Sequence, residues 1–142
     1  MKNSDLGPLI YEMNVGDEGS VTRHITRETI LGFADAIDDH DPIHVDPEYA
    51  KTTIFGKNIA HGVYIDCAMS AVTSVLVKGG INAKLSVKYT DAVYAGDTIT
   101  VTGVVQDINL ERNRIYIEMK AVNQNNGIVA IGEAVCLART EE

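Results

Sequence analysis

Phe33-Ala-Asp-Ala-Ile-Asp-Asp39-His-Asp-Pro42-Ile-His44-Val-Asp-Pro-Glu-Tyr49-Ala50 is the stretch on which the organisation of this chain turns. It closes an amphipathic pattern, with Ile30, Phe33, Ala34 and Ile37 at i, i+3, i+4 and i+7, one face of a helix. Thr26 stands as that helix's N-cap, and Glu28 falls in the first turn, where the helix dipole favours a carboxylate. Pro42 ends the pattern. The residue before a proline is disfavoured in the α region, so the chain is expected to run extended there. Asp46-Pro47 then restarts a short helix, a capping carboxylate followed by proline at the first helical position. The break leaves a carboxylate (Asp39) and an imidazole (His44) five residues apart. Seventeen residues later comes a second imidazole and then a glycine, Ala60-His61-Gly62. A carboxylate, a neutral imidazole and a helix amino terminus can together move protons and hold a developing oxyanion.

Working outward, residues 62–77 are apolar nearly all round, interrupted only by small polar residues and Asp66, which predicts a buried helix. Gly79-Gly80 stops it. Upstream, residues 1–17 read as an irregular or short-strand lead-in and residues 19–25 as a short strand. Everything after about Ala83 alternates with period two. Leu85, Val87 and Tyr89 form one strand face; Ile99, Val101, Gly103 and Val105 a second; Ile115, Ile117, Met119 and Ala121 a third. Asn126-Gly127 is a hairpin signal, and Val129 and Ile131 start the last strand. The expected plan is a short strand, a helical region, one buried helix, then four strands in an antiparallel meander. That is an α+β fold, with the sheet wrapped around the helix.

The chain has 142 residues, 45% apolar and 23% charged, which suits one globular domain spanning residues 1–142. A chain of this size buries roughly 70% of the surface its unfolded form exposes. Its formal net charge of −8 argues against nucleic acid or an acidic membrane surface as a partner. No window approaches a membrane span, and the first residues carry no apolar run of the signal-peptide kind. Cys67 and Cys136 lie in apolar surroundings without metal-type spacing and read as buried thiols rather than a disulfide. A reduced, cytoplasmic compartment is the expectation.

With the helix, the segment from Asp39 to His44, His61-Gly62 and the later Val93-Tyr94-Ala95-Gly96-Asp97 in view, the chain resembles the MaoC-like, R-specific enoyl-thioester hydratase and dehydratase family. The resemblance runs from about Val15 to Ala138. It implies the hot-dog fold, a single domain with an antiparallel sheet wrapped around a long central helix, assembled as a homodimer or a dimer of dimers. That family's motif is Phe or Tyr, then Gly-Asp-x-Asn-Pro-Ile/Leu-His, then Ala. The matching residues here are Phe33, Asp38, Asp39, His40, Asp41, Pro42, Ile43, His44 and Ala50. The resemblance implies Asp39 and His44 as the catalytic pair and Gly62 as the residue whose N–H holds the thioester oxygen. Two positions depart from the motif: Asp38 stands for its glycine and Asp41 for its asparagine. Residues 78–84 are also shorter and more polar than the loop that usually follows the helix and shapes the acyl pocket.

The implied reaction is reversible hydration of trans-2-enoyl thioesters to the R-3-hydroxyacyl product, a hydro-lyase activity in fatty acid metabolism. No metal or redox cofactor is needed; coenzyme A or phosphopantetheine is the carrier. Asp41, His61, Tyr64, Lys84 and Lys88 are the candidate substrate contacts, with Lys57, Arg112 and Arg114 as further candidates for the carrier's phosphates. His61 is also read as a structural hydrogen-bonder, Tyr64 and Tyr89 as wall or core. Asp66 reads equally as a buried functional carboxylate or as one reaching solvent. A metal site among His40, His44, Asp39, Asp41 and Asp46 is disfavoured, because Pro42 breaks the helix that would align the two imidazoles. Three carboxylates beside His40 and His44 are expected to perturb one another and the pH optimum. Two other functions stay open: an acyl-CoA thioesterase of the same fold, and a non-catalytic acyl-thioester-binding partner subunit.

Overall fold

A computed structural model describes residues 7–140; most of the lead-in segment considered above for a signal peptide, residues 1–6, lies outside the described residues. After a single 3-10 turn at Ile10–Glu12, β1 (Glu18–His24) leads into α1 (Arg27–Ile37). Thr26 caps α1 as the sequence predicts, its hydroxyl accepting from the Thr29 N–H. Asp38 ends α1 at φ 54°, the left-handed conformation that glycine tolerates best. Two short helices follow, α2 (Pro42–Val45) and α3 (Pro47–Ala50), then the long α4 (Gly62–Leu76).

The expectation that the chain leaves the α region before Pro42 holds: Asp41 lies at φ −54° and ψ 133°, and its carboxylate accepts from the Ile43 N–H to cap α2. Asp41-Pro42 is thus the same helix start as Asp46-Pro47, where Asp46 caps α3 through the N–H groups of Glu48 and Tyr49. His44 therefore sits on a helix, not on an extended segment.

The remaining strands are β2 (Ile81–Tyr89), β3 (Thr98–Asn109), β4 (Arg114–Val122) and β5 (Ile128–Leu137). They join β1 in one five-stranded sheet of order β1-β3-β4-β5-β2, every pair antiparallel. The expected four-strand meander holds only for β3-β4-β5. β2 crosses to the far edge and pairs with β5, Leu85 opposite Ala134. The β4-β5 hairpin contains Asn126 at φ 61°, but its loop spans residues 123–127, longer than a two-residue turn. A register shift between Ala121 and Val122 makes room for Val129 and Ala130 both to be buried. Ile131 is consequently turned outward at 44% exposure instead of sharing a face with Val129.

The sheet packs one face against α4. Ile65, Met69, Val72 and Leu76 of the helix meet Ile99, Val101, Val105, Ile115, Ile117 and Met119 of the strands, all buried. Each such side chain contributes about 1.5–3 kcal/mol when removed from water. The helix lies close because the sheet is cut away beneath it. A Cβ on Gly103 would sit 2.7 Å from Val72 Cγ1, and one on Gly132 2.7 Å from Met69 Sδ. The expectation that α4 is buried on every side fails in the single chain: Val63, Cys67, Ser74 and Val75 face outward. Cys67 is accordingly an exposed thiol, and only Cys136 is buried; both are free.

Candidate active site

Asp39 follows the left-handed residue that stops α1, its N–H bonded to the Ala34 carbonyl at 3.0 Å. His44 is carried by α2, and its Nδ1 lies 2.8 Å from the Ile59 carbonyl. A carbonyl accepts only, so Nδ1 carries the proton and Nε2 is left with a lone pair in the neutral ring. His61 is the buried N-cap residue of α4, 2% exposed. Its Nε2 donates to the Asp39 carbonyl at 3.0 Å. Its ring stacks on His44 with centroids 3.8 Å apart and an interplanar angle of 26°. Phe33 meets His61 edge-on at 5.2 Å and Tyr64 edge-on at 5.3 Å. His61 thus joins both members of the predicted pair to the start of α4.

Asp39, His44 and His61 each offer one ligand atom within 4.8 Å of the others. Two hydrogen bonds of about 2.8 Å meeting at a tetrahedral water span about 4.6 Å, within the range over which the Asp39 and His44 atoms converge. A metal ion is matched less well. Ligating nitrogens must lie about 2.0–2.1 Å from one ion in the plane of each ring, and rings stacked 3.8 Å apart at 26° direct their lone pairs along nearly parallel planes.

Gly62 is the first residue of α4, so its N–H has no acceptor within the helix and sits at the positive end of the dipole. A cavity of about 430 Å³ opens beside it, lined by Phe55, Ile59, His61, Ile65, Tyr89 and Val129 among others. A Cβ at Gly62 would lie 3.0 Å from two carbons of the Tyr89 ring. The Tyr89 hydroxyl donates to Asp66 Oδ1 at 2.6 Å. Burial and the Asp66 carboxylate push the phenol up to about 12. Asp66, left between two readings by the sequence, is half-buried and engaged by this bond.

Of the other sequence candidates, Tyr64 packs against Phe33 and the core and does not line this cavity, while Asp41 uses its carboxylate to cap α2. Lys84 and Lys88 are not brought to the cavity. They alternate with Leu85, Val87 and Tyr89 along β2, so period two turns them to the opposite face, where Lys88 lines a groove with Lys120 and Glu133. The expected carboxylate cluster persists around His40, with Asp38 Oδ1 3.7 Å from its Nδ1. The Asp38 side chain is 98% exposed, and His40 pairs with Asp35 at 2.7 Å. That hydrogen bond raises the His40 pKa above its usual value.

Asn58 escaped the sequence reading. It is buried, and its Nδ2 reaches the carbonyls of Pro42, Ile43 and Asp46 at 2.8–3.2 Å while its Oδ1 accepts from Arg27. It pins α2, which carries His44, and the junction with α3 at Asp46. A lone asparagine in a polar loop gives no sequence signal of such a role.

The family model described as MaoC like domain matches residues 14–126. An (R)-specific enoyl-CoA hydratase of Rhodospirillum rubrum is 34% identical over 129 residues, covering 89% of this chain and 88% of that one. A mitochondrial 3-hydroxyacyl-[acyl-carrier-protein] dehydratase of Arabidopsis thaliana is 29% identical, covering 88% of this chain and 77% of that one. Both names describe hydro-lyases. The solved structure of an unliganded R-hydratase from Pseudomonas aeruginosa superposes with a TM-score of 0.87 at 31% identity, covering 94% of this chain and 86% of that one. The matched span takes in Asp39, His44 and Gly62 and most of the sheet, and the chain belongs to the MaoC-like dehydratase family.

Proposed function

We propose that the protein is an R-specific hydratase and dehydratase of trans-2-enoyl thioesters, with Asp39 and His44 as the catalytic pair and Gly62 as the oxyanion donor. The observation that carries this reading is the convergence of an Asp39 carboxylate oxygen and a His44 ring nitrogen to within 4.8 Å of each other and of a ring nitrogen of His61, the residue that immediately precedes Gly62 at the start of α4. The stereochemistry rests on the names of the relatives.

The chemistry follows from the groups. Conjugation to a thioester makes the β-carbon electrophilic and moves negative charge to the carbonyl oxygen. His44 Nε2 takes one proton of the bound water as its oxygen adds to the β-carbon; the Asp39 carboxylate accepts a hydrogen bond from the O–H that the water keeps and offsets the imidazolium charge. The Gly62 N–H receives the enolate oxygen. The imidazolium then returns its proton to the α-carbon, so H and OH add from one side and the pair ends as it began. No metal or redox cofactor enters; the carrier is coenzyme A or phosphopantetheine.

Within the same proposal the working unit is a homodimer. β2 is an edge strand, exposed along most of its length, and the outward face of α4 is apolar at Val63 and Val75. Such an edge invites pairing with another strand. Two free thiols suit a cytoplasmic setting, and no helix among the described residues is long and apolar enough to cross a membrane.

The test is the enoyl absorbance of crotonyl-CoA, followed together with thiol release. Loss of absorbance without free thiol is expected, and Asp39→Asn or His44→Ala should each lower it about 10²- to 10⁴-fold. Thiol release would instead indicate a thioesterase, and binding with neither a non-catalytic subunit.

A further inference from the structure

We infer that Tyr89, pinned by Asp66, is the specificity-determining wall of the acyl cavity; this rests on the acyl-thioester reading above. The cavity beside Gly62 is apolar along Phe55, Ile59, Ile65, Val93 and Val129, the surface an acyl chain prefers to water. The Tyr89 ring lies directly against Gly62, its carbons 3.0–3.2 Å from the position a Cβ would take there. An acyl group whose carbonyl oxygen meets the Gly62 N–H must pass within van der Waals reach of that ring.

In the single chain Tyr89 is 47% exposed at the last position of β2, so packing within the chain does not by itself fix the ring. A half-exposed tyrosine at a strand end would ordinarily sample several rotamers. Here the 2.6 Å bond from its hydroxyl to Asp66 Oδ1 holds it. Asp66 stands one turn beyond Gly62 on α4, so helix and ring are fixed to each other at the point where the carbonyl binds. The phenol keeps its proton at neutral pH, as the bond requires. A carboxylate within an otherwise apolar helix thereby gains a role, because it locks the wall and the wall bounds the chain. Tyr89 and Asp66 act here as specificity and positioning residues and take no part in proton transfer.

The experiment measures binding of two saturated thioesters, butyryl-CoA and octanoyl-CoA, which cannot be hydrated, by calorimetry. Wild type, Tyr89→Ala, Tyr89→Phe and Asp66→Asn are compared. Removing the ring should raise the octanoyl-to-butyryl affinity ratio about tenfold, the scale of discrimination set by one or two methylenes in an apolar pocket. Tyr89→Phe, which keeps the ring but loses the bond, should shift the ratio in the same direction by about threefold, and Asp66→Asn, whose Oδ1 still accepts from the hydroxyl but without the charge, by about twofold or more. These two conserve shape and guard against misfolding of the alanine variant. A ratio within twofold of wild type in Tyr89→Phe and Asp66→Asn, with Tyr89→Ala either equally unmoved or unfolded, overturns the inference. Crotonyl-CoA hydration by the wild type is run alongside. Hydration with an unmoved ratio sinks the wall alone; neither hydration nor binding of either thioester by the wild type sinks the acyl-thioester reading and the wall with it.

Discussion

His61 lies face to face with His44, centroids 3.8 Å apart, while its own Nε2 holds the Asp39 backbone carbonyl at 3.0 Å. One buried ring therefore sets the position of both members of the proposed pair. Replacing it removes a hydrogen bond to the Asp39 carbonyl and the platform under His44. We expect His61→Ala to lower stability by about 2–4 kcal/mol, a buried ring lost together with one backbone partner. In the fraction that folds, kcat should fall more than KM rises, because the main defect lies in the orientation of Asp39 and His44. Denaturation midpoints and steady-state kinetics check this; an unchanged kcat would detach His61 from the pair.

Gly62 has a steric requirement as well as an exposed N–H. Gly62→Ala would place a methyl 3.0 Å from the Tyr89 ring, which must move. The alanine keeps the N–H, so any loss reports the crowded geometry. A cost of about 1–3 kcal/mol is expected from such overpacking, and Tyr89→Ala in the same chain should recover most of it. The double-mutant cycle is read in thermal midpoints. Additive losses would show that ring and glycine do not interact.

The two departures from the family motif become intelligible in the backbone. Asp38 holds φ 54°, where an L-residue is strained and glycine is not. Asp38→Gly should stabilise the protein by about 0.5–1 kcal/mol and leave hydration intact, since the replaced side chain points into solvent. Asp41 caps α2, and asparagine caps a helix as well as aspartate does. Asp41→Asn should therefore change neither the thermal midpoint by more than about 0.5 kcal/mol equivalent nor the shape of the pH–rate profile. A displaced profile would show that the carboxylates perturb the catalytic pair.

Much of this site is legible in the sequence because its parts are local. Thr26, Pro42 and Asp46-Pro47 fix where helices start and stop through backbone chemistry that short sequence contains. Period two likewise marks the inward faces of β3 and β4, Ile99 to Val105 and Ile115 to Ala121. What stays hidden depends on contacts distant in sequence. The pairing of β2 with β5 and the bulge that turns Ile131 outward are decided by the closed sheet. So is the bond between Tyr89 and Asp66, 23 positions apart. The misplacement of Lys84 and Lys88 has a different origin. Their charge suggests a phosphate contact, but the alternation of Leu85, Val87 and Tyr89 already assigns the lysines to the other face.

His40 provides a pH test away from the catalytic pair. Its pKa is raised, chiefly by the hydrogen bond to Asp35, with Asp38 and Asp39 adding to the effect and desolvation opposing it. A raised folded-state value means the stabilisation is fully present below the unfolded value of 6.5 and is lost as pH rises through the folded value. An NMR titration of the His40 ring should give a midpoint above 6.5, and Asp35→Asn should bring it down. The ring is at the surface, so the effect on global stability is small. Equal midpoints in the two proteins would show that the pair is not formed.

The unpartnered side of α4 gives the last prediction. Val63, Cys67 and Val75 face outward from α4, Val75 on the side of Gly19 in β1, while β2 at the sheet's other edge carries no strand partner on its outer side among the described residues. A homodimer whose seam runs over the outward face of α4 would cover these side chains. Sedimentation equilibrium should find a dimer, and Val75→Glu should shift it toward monomer by burying a charge in the seam. The two thiols supply an independent reading. Cys136 is buried and its pKa pushed up to about 11, so it resists a thiol reagent at pH 8 in any assembly. Cys67 should react freely in the Val75→Glu monomer and slowly in the wild-type dimer. Fast labelling of Cys67 in a confirmed wild-type dimer would move the interface elsewhere.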